Sequence, residues 1–331
     1  PKWLWEYMFF NYPVSDASFL EGVRRVPAAS VLTYDVDSGQ VAVLEYAPVF
    51  RAHDRLMSRP ESFELARDVF RDRVPRYYVG ADESACALTA GWDGRTVLAL
   101  APEPEAVTAY TYGIPGSDDL RGARDTARAL GQRHREIVFD ASFVSRLPDL
   151  MLETVYLSGG LERTSRASLL HVYRSLTDSA TRFSLTLSVI SMDTQFRGHA
   201  HVPFLVSEGM SSRLQGGPTG TDAAAWKLAW GSDHPEFEHH VAAAVRQAQE
   251  RFGDLRTTSA HLSYALYVMS ANHFCGELEL ASHYTTVRVP SWDQQLVDLS
   301  FGIRESMLSY SQFSRHKRGS REEALLQADL L

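Results

Sequence analysis

The stretch ALTAGWDGRTVLAL, residues 87–100, has the residue types of an anion-binding turn. Gly91 and Gly94 would let the backbone approach a ligand closely, and main-chain N–H groups at the start of a helix can hold a phosphate. Asp93 adds a carboxylate, which suits a Mg²⁺ ion bridging protein and phosphate. A plain strand–turn–helix connection also needs glycine, so this simpler interpretation stays open. The stretch matches neither the Walker A pattern nor GxGxxG.

This turn lies in a chain that alternates short strands with helices. A buried strand is predicted at 84–88, a helix at 95–101 and a second strand at 106–113. The next predicted elements are a helix at 117–131, a strand at 134–140, helices at 142–156 and 165–177, and a strand at 183–191. The alternation predicts a doubly wound parallel sheet, in which ligands bind at the carboxyl ends of strands.

The flanking regions have other patterns. Residues 1–50 are predicted to be β-rich, with a hairpin at 30–46, and a helix is predicted at 59–74. After residue 200 the chain is predicted to be mainly helical, with helical periodicity at 235–252, 259–276 and 293–301.

The composition is that of an ordinary globular protein, with 331 residues, 44% hydrophobic and 22% charged. A net charge of −8 disfavours nucleic acid as a partner, because nucleic-acid-binding domains are usually basic. No apolar run is long enough to span a membrane, and no signal-peptide pattern is found. Cys86 and Cys275 belong to no metal-binding array, so we expect buried, reduced thiols and a cytoplasmic protein.

Several blocks, in a fixed order, resemble the synthetase half of the glutamine-dependent asparagine synthetase family, whose relatives include β-lactam synthetases and lasso-peptide cyclases. Thr89-Ala90-Gly91-Trp92-Asp93-Gly94 occupies the register of the family's pyrophosphate loop, Ser-Gly-Gly-x-Asp-Ser. The other matching blocks are YTYGIPGSDDLRGARDTARALGQRHREIVFD (110–140), RAS (166–168), SVISMDTQFRG (188–198) and VRVPSWDQQLVDL (287–299). The resemblance implies an α/β fold of the pyrophosphate-loop ATPase (adenine nucleotide alpha-hydrolase-like) type with a helical C-terminal part.

The resemblance also implies a domain organisation. Residues 1–50 are similar to the tail of the family's N-terminal glutaminase domain, so we interpret them as a remnant of it and residues 51–331 as the ATP-binding synthetase domain. The family hydrolyses glutamine with a cysteine at the extreme N-terminus, whereas this sequence begins at Pro1 and has no cysteine before Cys86. Unless another chain or segment supplies that cysteine, we expect a nitrogen donor other than glutamine.

The implied activity is ATP-dependent carbon–nitrogen ligation. The family activates a carboxylate with ATP and Mg²⁺, forms an acyl-adenylate and pyrophosphate, and lets an amine or ammonia attack. The expected partners are a small-molecule or peptide carboxylate and an amine, without nucleic acid or membrane, and a homo-oligomer or a separate partner chain is compatible with the sequence. The arginine-rich composition is compatible with natural-product biosynthesis.

Carried over position by position, the resemblance implies a set of site residues. ATP and pyrophosphate would be bound by Ala87, Leu88, Thr89, Gly91, Trp92, Asp93, Gly94, Tyr112 and Ser188. Mg²⁺ would be bound by Asp93 and Asp193. The family also uses one late lysine to stabilise charge at the reacting centre. The chain has only Lys2, Lys227 and Lys317, and Lys317 is the candidate, although an alternative alignment puts Ser320 there and a solvated basic turn is the simpler interpretation.

Other positions depart from the family pattern. Ala90 replaces a glycine and Gly94 a serine in the pyrophosphate loop. The candidate substrate contacts are Ile190, Met192, Arg166 and Thr286. Ile190 stands where the family has a Glu or Tyr and cannot transfer a proton, and Thr286 stands where the family has a Glu. These changes argue against plain asparagine synthesis.

A second glycine segment, YLSGGLERTSR at 156–166, looks more like the pyrophosphate loop than residues 89–94 do. It is predicted to follow a helix, whereas a phosphate loop follows a buried strand, and it has Glu162 where an Asp is wanted. We interpret it as a loop near the mouth of the site, from which Arg163 or Arg166 could reach phosphate or carboxylate.

Two functional hypotheses remain. In the first, the chain is a ligase adapted to a different pair of substrates. In the second, it is a catalytically silent homologue that acts as a binding or structural subunit. The retained aspartates favour the first, because a buried carboxylate without a partner is costly to keep.

Overall fold

A computed structural model describes residues 2–46, 57–178, 183–196, 235–255, 257–303 and 325–330. The chain divides into two compact units, one formed by Pro1–Ala52 with His201–Phe274 and the other by His53–Ala200 with Cys275–Leu331. The predicted domain boundary between residues 50 and 51 lies outside the described residues, and the interpretation of residues 1–50 as a glutaminase remnant stays a prediction.

The described helices and strands are numbered in chain order. They are α1 Lys2–Phe10, β1 Ser30–Tyr34, β2 Val41–Glu45, α2 Arg59–Arg73, β3 Ser84–Ala87, α3 Asp93–Ala99, β4 Val107–Gly113, α4 Asp118–Leu130, β5 Arg133–Val138, α5 Ala141–Leu157, α6 Ala167–Thr177, β6 Leu185–Leu187, α7 Met192–Phe196, α8 Pro235–Phe252, α9 Thr258–Tyr264, α10 Cys275–Ser282, β7 Thr286–Arg288, α11 Gln294–Gly302 and α12 Leu325–Leu330. A π-helix, Ala265–Ser270, and a short helical turn, Ala271–His273, continue α9.

The second unit contains a five-stranded sheet in the order β5-β4-β3-β6-β7, and every neighbouring pair is parallel. The predicted doubly wound parallel sheet is therefore confirmed. The sequence does not predict β7, whose three residues pair with β6. So short a strand carries too little periodicity to be recognised.

Helices cover both faces of this sheet. On one face, α2, α3, α4 and α11 bury side chains against the strands, and their core residues include Phe70, Val97 and Leu296. On the other face α6 and α10 pack, and their residues Tyr173 and Ala281 belong to the same buried cluster as Tyr110 of β4. A parallel sheet needs such cover on both faces because both are apolar.

Local signals account for where the helices begin and end. The Ser117 hydroxyl accepts the Leu120 N–H at the start of α4, and Gly131 at φ 64° ends the helix. The Asp140 carboxylate accepts the N–H groups of Ser142 and Phe143 at the start of α5. These caps fix the helices at the strand ends, where the candidate site lies.

The first unit combines a helical core with an exposed hairpin. Its core holds the buried aromatic residues Phe10, Tyr12 and Tyr264. The β1–β2 hairpin is antiparallel, as predicted, and is exposed along almost its whole length. The β-rich pattern predicted for residues 1–50 did not include α1, whose apolar run the sequence analysis left without an element.

A buried acid ties α1 to the rest of this unit. The Glu6 carboxylate accepts the N–H groups of Val14 and Ser15 at 2.7 and 2.8 Å, and His240 Nε2 lies 2.8 Å from its other oxygen. Burial raises the pKa of Glu6, but the hydrogen bonds from His240 and Ser15 lower it further, so the pKa lies below its usual value. The charged form of Glu6 is thus part of the folded structure.

The two cysteines have different environments. Cys86 on β3 is buried, and burial raises the pKa of its thiol to about 12. Cys275, at the start of α10, is exposed, which corrects the expectation that both are buried. Neither forms a disulfide. Within the described ranges, no helix combines the length and the apolar character needed to span a bilayer.

Candidate functional site

The glycine turn predicted to bind phosphate lies where the strand order of the sheet reverses. β3 is the first strand of this sheet along the chain, and it lies between β4 and β6. A reversal of this kind leaves a crevice outside the carboxyl ends of the two central strands, where ligands bind in open parallel sheets. Asp93 follows the end of β3 by the same interval (Ala87 to Asp93) as Asp193 follows the end of β6 (Leu187 to Asp193). Both predicted metal ligands therefore belong to turns at the same end of the sheet, where the strands have their carboxyl ends. We call this end the carboxyl edge and the opposite end the amino edge.

Gly94 packs so closely against the end of β3 that it has no space for a side chain. A Cβ placed on Gly94 would lie 2.3 Å from the Ala87 oxygen and 3.1 Å from the Leu88 Cα. A serine, which the family has at this position, would not fit here because α3 lies so close to the strand. Within the turn, the Gly91 N–H donates to the Thr89 hydroxyl at 3.0 Å, which holds the backbone between β3 and α3.

Ala90, which replaces a family glycine, fits because the facing helix carries a glycine. Ala90 is not among the residues with positive φ, so its Cβ causes no backbone strain. A Cβ on Gly122 of α4 would lie 2.7 Å from the Ala90 Cβ, so the methyl group occupies the space that Gly122 leaves. The Ala90 N–H donates to Asp119 Oδ1 at 3.3 Å, and its carbonyl accepts from Arg95 at 2.9 Å. Arg95 also lies over the Trp92 ring, 5.1 Å from its centroid, which places a positive charge beside the turn.

Leu88 supports the turn from below. Its N–H donates to the Tyr110 carbonyl at 2.8 Å, and its carbonyl accepts from the Thr111 hydroxyl at 2.6 Å. Because that hydroxyl has one hydrogen and donates it to Leu88, it accepts from His134 Nε2, 2.8 Å away. This network assigns the proton of the neutral imidazole to Nε2. The side chain of Leu88 is fully buried, so Leu88 positions the turn without offering its side chain to a ligand.

The C-terminal helix contacts the first aspartate. Gln327 on α12 is fully buried, and its Nε2 donates to Asp93 Oδ1 at 2.8 Å. The Oε1 atom of Gln327 is buried without a hydrogen-bond partner. The sequence does not single out Gln327, because nothing in EEALLQADLL distinguishes this segment from an ordinary amphipathic helix. At the second aspartate, Asp193 Oδ1 accepts the Thr194 N–H at 2.8 Å, at the start of α7.

The donors at this edge suit a hard cation. Asp93, Asp193 and the amide oxygen of Gln327 offer only oxygen, which is what Mg²⁺ prefers. Among the described residues, no group of three or more His, Cys, Asp or Glu side chains could hold a metal ion by itself. A cation here would complete its coordination with phosphate oxygens and water, as Mg²⁺ does in ATP-binding sites.

The turn after β6 is more crowded. Ser191 has a φ of 65° although it is not glycine, and it is 3% exposed. Its hydroxyl accepts from Trp292 Nε1 at 3.3 Å, and the Ser291 hydroxyl donates to the Ile190 carbonyl. Ser188 donates its N–H to the Arg288 carbonyl at 2.9 Å, which extends the pairing of β6 with β7 beyond the strand ends.

Three of the four predicted substrate contacts lie in different parts of the second unit. Ile190 is half-buried at the carboxyl edge, where it was predicted. Met192 is fully buried in the core, and we assign it to packing instead of substrate contact. Thr286 is the first residue of β7 and pairs with Leu185, the first residue of β6, so it lies at the opposite edge of the sheet from the site.

The remaining predicted residues have varied positions. Tyr112 lies at the carboxyl end of β4, half-buried, with its ring centroid 5.8 Å from that of Phe139. Burial, followed by the charge of Glu277, raises the pKa of Tyr112, whereas Arg166 lowers it. Arg166 lies between two carboxylates instead of pointing to a free anion site. Lys317 and Ser320 lie outside the described residues, and the role of Lys317 stays a prediction.

The segment with Gly159 and Gly160 ends a helix, as predicted. It follows α5 directly, and both glycines have positive φ, 57° and 79°. These glycines therefore reverse the chain after α5, and they have no strand before them to present a phosphate loop.

One family model and several solved structures are similar to this chain. The family model described as asparagine synthase matches residues 65–317. Among solved structures, the chain is similar to an NH₃-dependent NAD synthetase from Campylobacter jejuni subsp. jejuni NCTC 11168 in complex with the nitrate ion, with 14% identity over 58% of this chain and 95% of that chain and a TM-score of 0.27. An NMN synthetase from Francisella tularensis matches with 11% identity, 59% and 96% coverage and a TM-score of 0.28.

A glutamine-dependent NAD⁺ synthetase from Acinetobacter baumannii in complex with ADP matches with 16% identity, 68% of this chain, 49% of that chain and a TM-score of 0.27. No curated protein matches the sequence. At TM-scores this low the fold assignment depends on the strand order of the chain itself, and the family assignment on the sequence match, which spans more than half of the residues. The chain belongs to the asparagine synthase family.

Proposed function

We propose that this protein is an ATP- and Mg²⁺-dependent ligase that adenylates a carboxylate, releases pyrophosphate and joins the activated acid to an amine. Membership in the asparagine synthase family supports an ATP-dependent, amide-forming ligase in general. The observation that carries the proposal is the close approach of Gly94 to the Ala87 carbonyl, at the strand end where Asp93 and Asp193 leave the sheet at matching intervals. This packing sets the start of α3, and with it Asp93, against the end of the strand.

Each part of the site has a role in this proposal. The turn from Thr89 to Gly94 would hold the pyrophosphate portion of ATP through its backbone, with the Arg95 charge beside it. Asp93 and Asp193 would hold Mg²⁺, and Gln327 would orient Asp93. When bound, ATP and Mg²⁺ supply a good leaving group and neutralise the phosphate charge.

The acid and the amine differ from those of asparagine synthesis in this proposal. Ile190 lies at the carboxyl edge with a side chain that cannot donate or accept a proton. Thr286, in place of the family's Glu, lies at the other edge. Of these two changed residues only Ile190 lies at the site, where it would favour a different substrate pair, and a role in natural-product assembly would fit that difference.

Pyrophosphate exchange into ATP tests this proposal. A panel of carboxylic acids is offered to the full chain, and at least one acid is expected to support exchange. Asp93→Asn and Asp193→Asn should each lower the exchange rate at least about 100-fold, because they remove charge stabilisation at the phosphates. Asp125→Asn, an exposed change on α4, is the matched control and should leave exchange unchanged.

A different pattern would contradict the ligase. Nucleotide binding by calorimetry without exchange for any acid would favour the silent homologue, in which the chain acts as a binding or structural subunit. Full exchange in both aspartate variants would remove the proposed metal site.

A further inference from the structure

A second cluster of charged residues lies at the same end of the sheet as the candidate site, at the start of two helices. It consists of Glu162, just before α6, Arg166, the residue that precedes α6, and Glu277 in the first turn of α10. Both helices lead back to strands that begin at the amino edge, β6 and β7. Their first turns therefore face the carboxyl edge, near the end of β4.

The cluster is buried and has more negative than positive charge at contact distance. The side chains of Glu162 and Glu277 are 3% and 15% exposed, and that of Arg166 is 30% exposed. Arg166 lies 3.8 Å from Glu162 Oε1 and 3.5 Å from Glu277 Oε2, both longer than an ordinary hydrogen bond. One guanidinium group thus lies between two carboxylates without fully satisfying either.

Glu162 Oε2 is the clearest sign that a partner belongs here. It is buried and has no hydrogen-bond partner, while Oε1 accepts the Arg163 N–H at 3.0 Å. A Cβ on Gly276 would lie 2.9 Å from both the Cβ and Oε2 of Glu162, so a glycine at 276 is required to admit this carboxylate. Burying a carboxylate oxygen without a partner costs folding free energy, and the glycine at 276 nevertheless leaves space for it.

The raised pKa values of both glutamates agree with their burial and their incomplete pairing with Arg166. Burial raises the pKa of Glu162, although the Arg163 N–H and the charges of Arg166 and Arg163 lower it in part. Burial likewise raises the pKa of Glu277, with Arg166 lowering it and Glu162 raising it. A positive ligand would therefore stabilise both charged forms.

We propose that Glu162, Glu277 and Arg166 form a subsite for an organic cation, an ammonium or guanidinium group carried by one substrate of the ligase. The identity of that molecule as a substrate rests on the proposed function, whereas the cation site itself does not. Ammonium and guanidinium groups are satisfied by two or three carboxylate oxygens, whereas a divalent metal ion needs about six oxygen ligands, more than Glu162 and Glu277 supply. Tyr112, on the adjoining strand, links the subsite to the predicted nucleotide edge.

Binding of matched amino acids to the full chain, measured by calorimetry without ATP, tests the subsite. Arginine is compared with citrulline and lysine with norleucine, because each pair differs mainly in one positive charge. Wild-type protein should prefer the charged member of at least one pair by roughly 10- to 100-fold, the range expected of a charged hydrogen bond. Glu162→Gln and Glu277→Gln should each remove most of that preference, and Glu83→Gln, at the amino end of β3, should keep it.

Arg166→Gln gives the opposite sign. Removal of the competing guanidinium should tighten binding of the charged probe, and the probe should raise the melting temperature of this variant more than that of the wild type. Equal binding of charged and neutral members by the wild type, or an unchanged preference in both glutamate variants, would overturn the subsite. Because these measurements need no turnover, a missing pyrophosphate exchange would count against the ligase alone.

Discussion

The turns that follow β3 and β6 carry their aspartates at the same interval from the strand, yet they are built differently. The turn after β3 depends on small residues, since Gly94 packs against a carbonyl and Ala90 fills the space above Gly122. The turn after β6 holds Ser191 at φ 65° and is fastened by Trp292 and Ser291. Packing thus preserves the position of each aspartate while the side chains around it change.

This difference between the two turns bears on two kinds of chemistry at the carboxyl edge, phosphate binding and proton transfer. Phosphate binding depends mainly on backbone geometry, which in the turn after β3 is set by the close packing of Gly94. Proton transfer depends on particular side chains, and the turn after β6 offers Ile190 where the family has a polar residue. Substitution experiments in the two turns can therefore test each separately.

The largest effect is expected for Gly94→Ala. Its Cβ would lie 2.3 Å from the Ala87 oxygen, so α3 must move away from β3. We expect a loss of about 2 kcal/mol or more in the free energy of unfolding, within the range of overpacked cores, together with weakened ATP binding. Urea unfolding and calorimetry measure both.

Gly91→Ala is the matched comparison in the same turn. Its Cβ would meet only the Thr89 hydroxyl, at 3.2 Å, so a shift of a few tenths of an ångström relieves the contact. We expect a clearly smaller cost. If Gly91→Ala proved as damaging as Gly94→Ala, the close approach of α3 would not be what distinguishes this turn.

Thr111→Val should have the next largest effect. The variant keeps the shape of the side chain but removes the hydroxyl that joins Leu88 to His134, so a buried carbonyl and an imidazole lose a partner. Leaving such groups unsatisfied costs about 1–3 kcal/mol. Thr108→Val, on the same strand and also buried, is the control, and it should be close to neutral in urea unfolding.

The sequence predicted the fold of the second unit well, because α4, α5 and α11 have side-chain caps and the strands alternate with helices. The family resemblance predicts Asp93 and Asp193 as metal ligands, and that role stays a prediction, although both follow the ends of their strands by the same interval. The sequence failed where a feature depends on contacts between distant segments. The contact of Gln327 with Asp93 joins residues far apart in the chain, and the position of Glu162 depends on the absence of a side chain at Gly276.

At Ser191, the contrast between glycine and alanine tests the backbone strain in the turn after β6. Ser191→Gly and Ser191→Ala both remove the hydroxyl that accepts from Trp292, so their difference reports the preference for positive φ. We expect the glycine variant to be more stable than the alanine variant by about 1 kcal/mol. At Ser300, inside α11, the same pair should have the opposite order, because glycine weakens a helix interior. Thermal unfolding of the four variants measures both differences, and the same order at both sites would contradict the strained turn.

The smallest expected effect is the pH dependence that His134 contributes beneath the turn after β3. Burial lowers the pKa of His134 from its usual 6.5, with Glu136 raising it and Arg124 lowering it to a lesser extent. The unfolded chain therefore binds more protons than the folded chain as the pH falls below about 6.5, and the folded state loses stability there. Urea unfolding at neutral pH and in the mildly acidic range should show this loss in the wild type and a smaller loss in His134→Gln, which cannot gain a proton. His239→Gln, at an exposed position, should behave like the wild type. A wild type and a His134→Gln variant that lose stability equally on acidification would show that the imidazole beneath Leu88 is as easily charged in the fold as outside it, and the hydrogen-bond assignment that supports the turn would need to change.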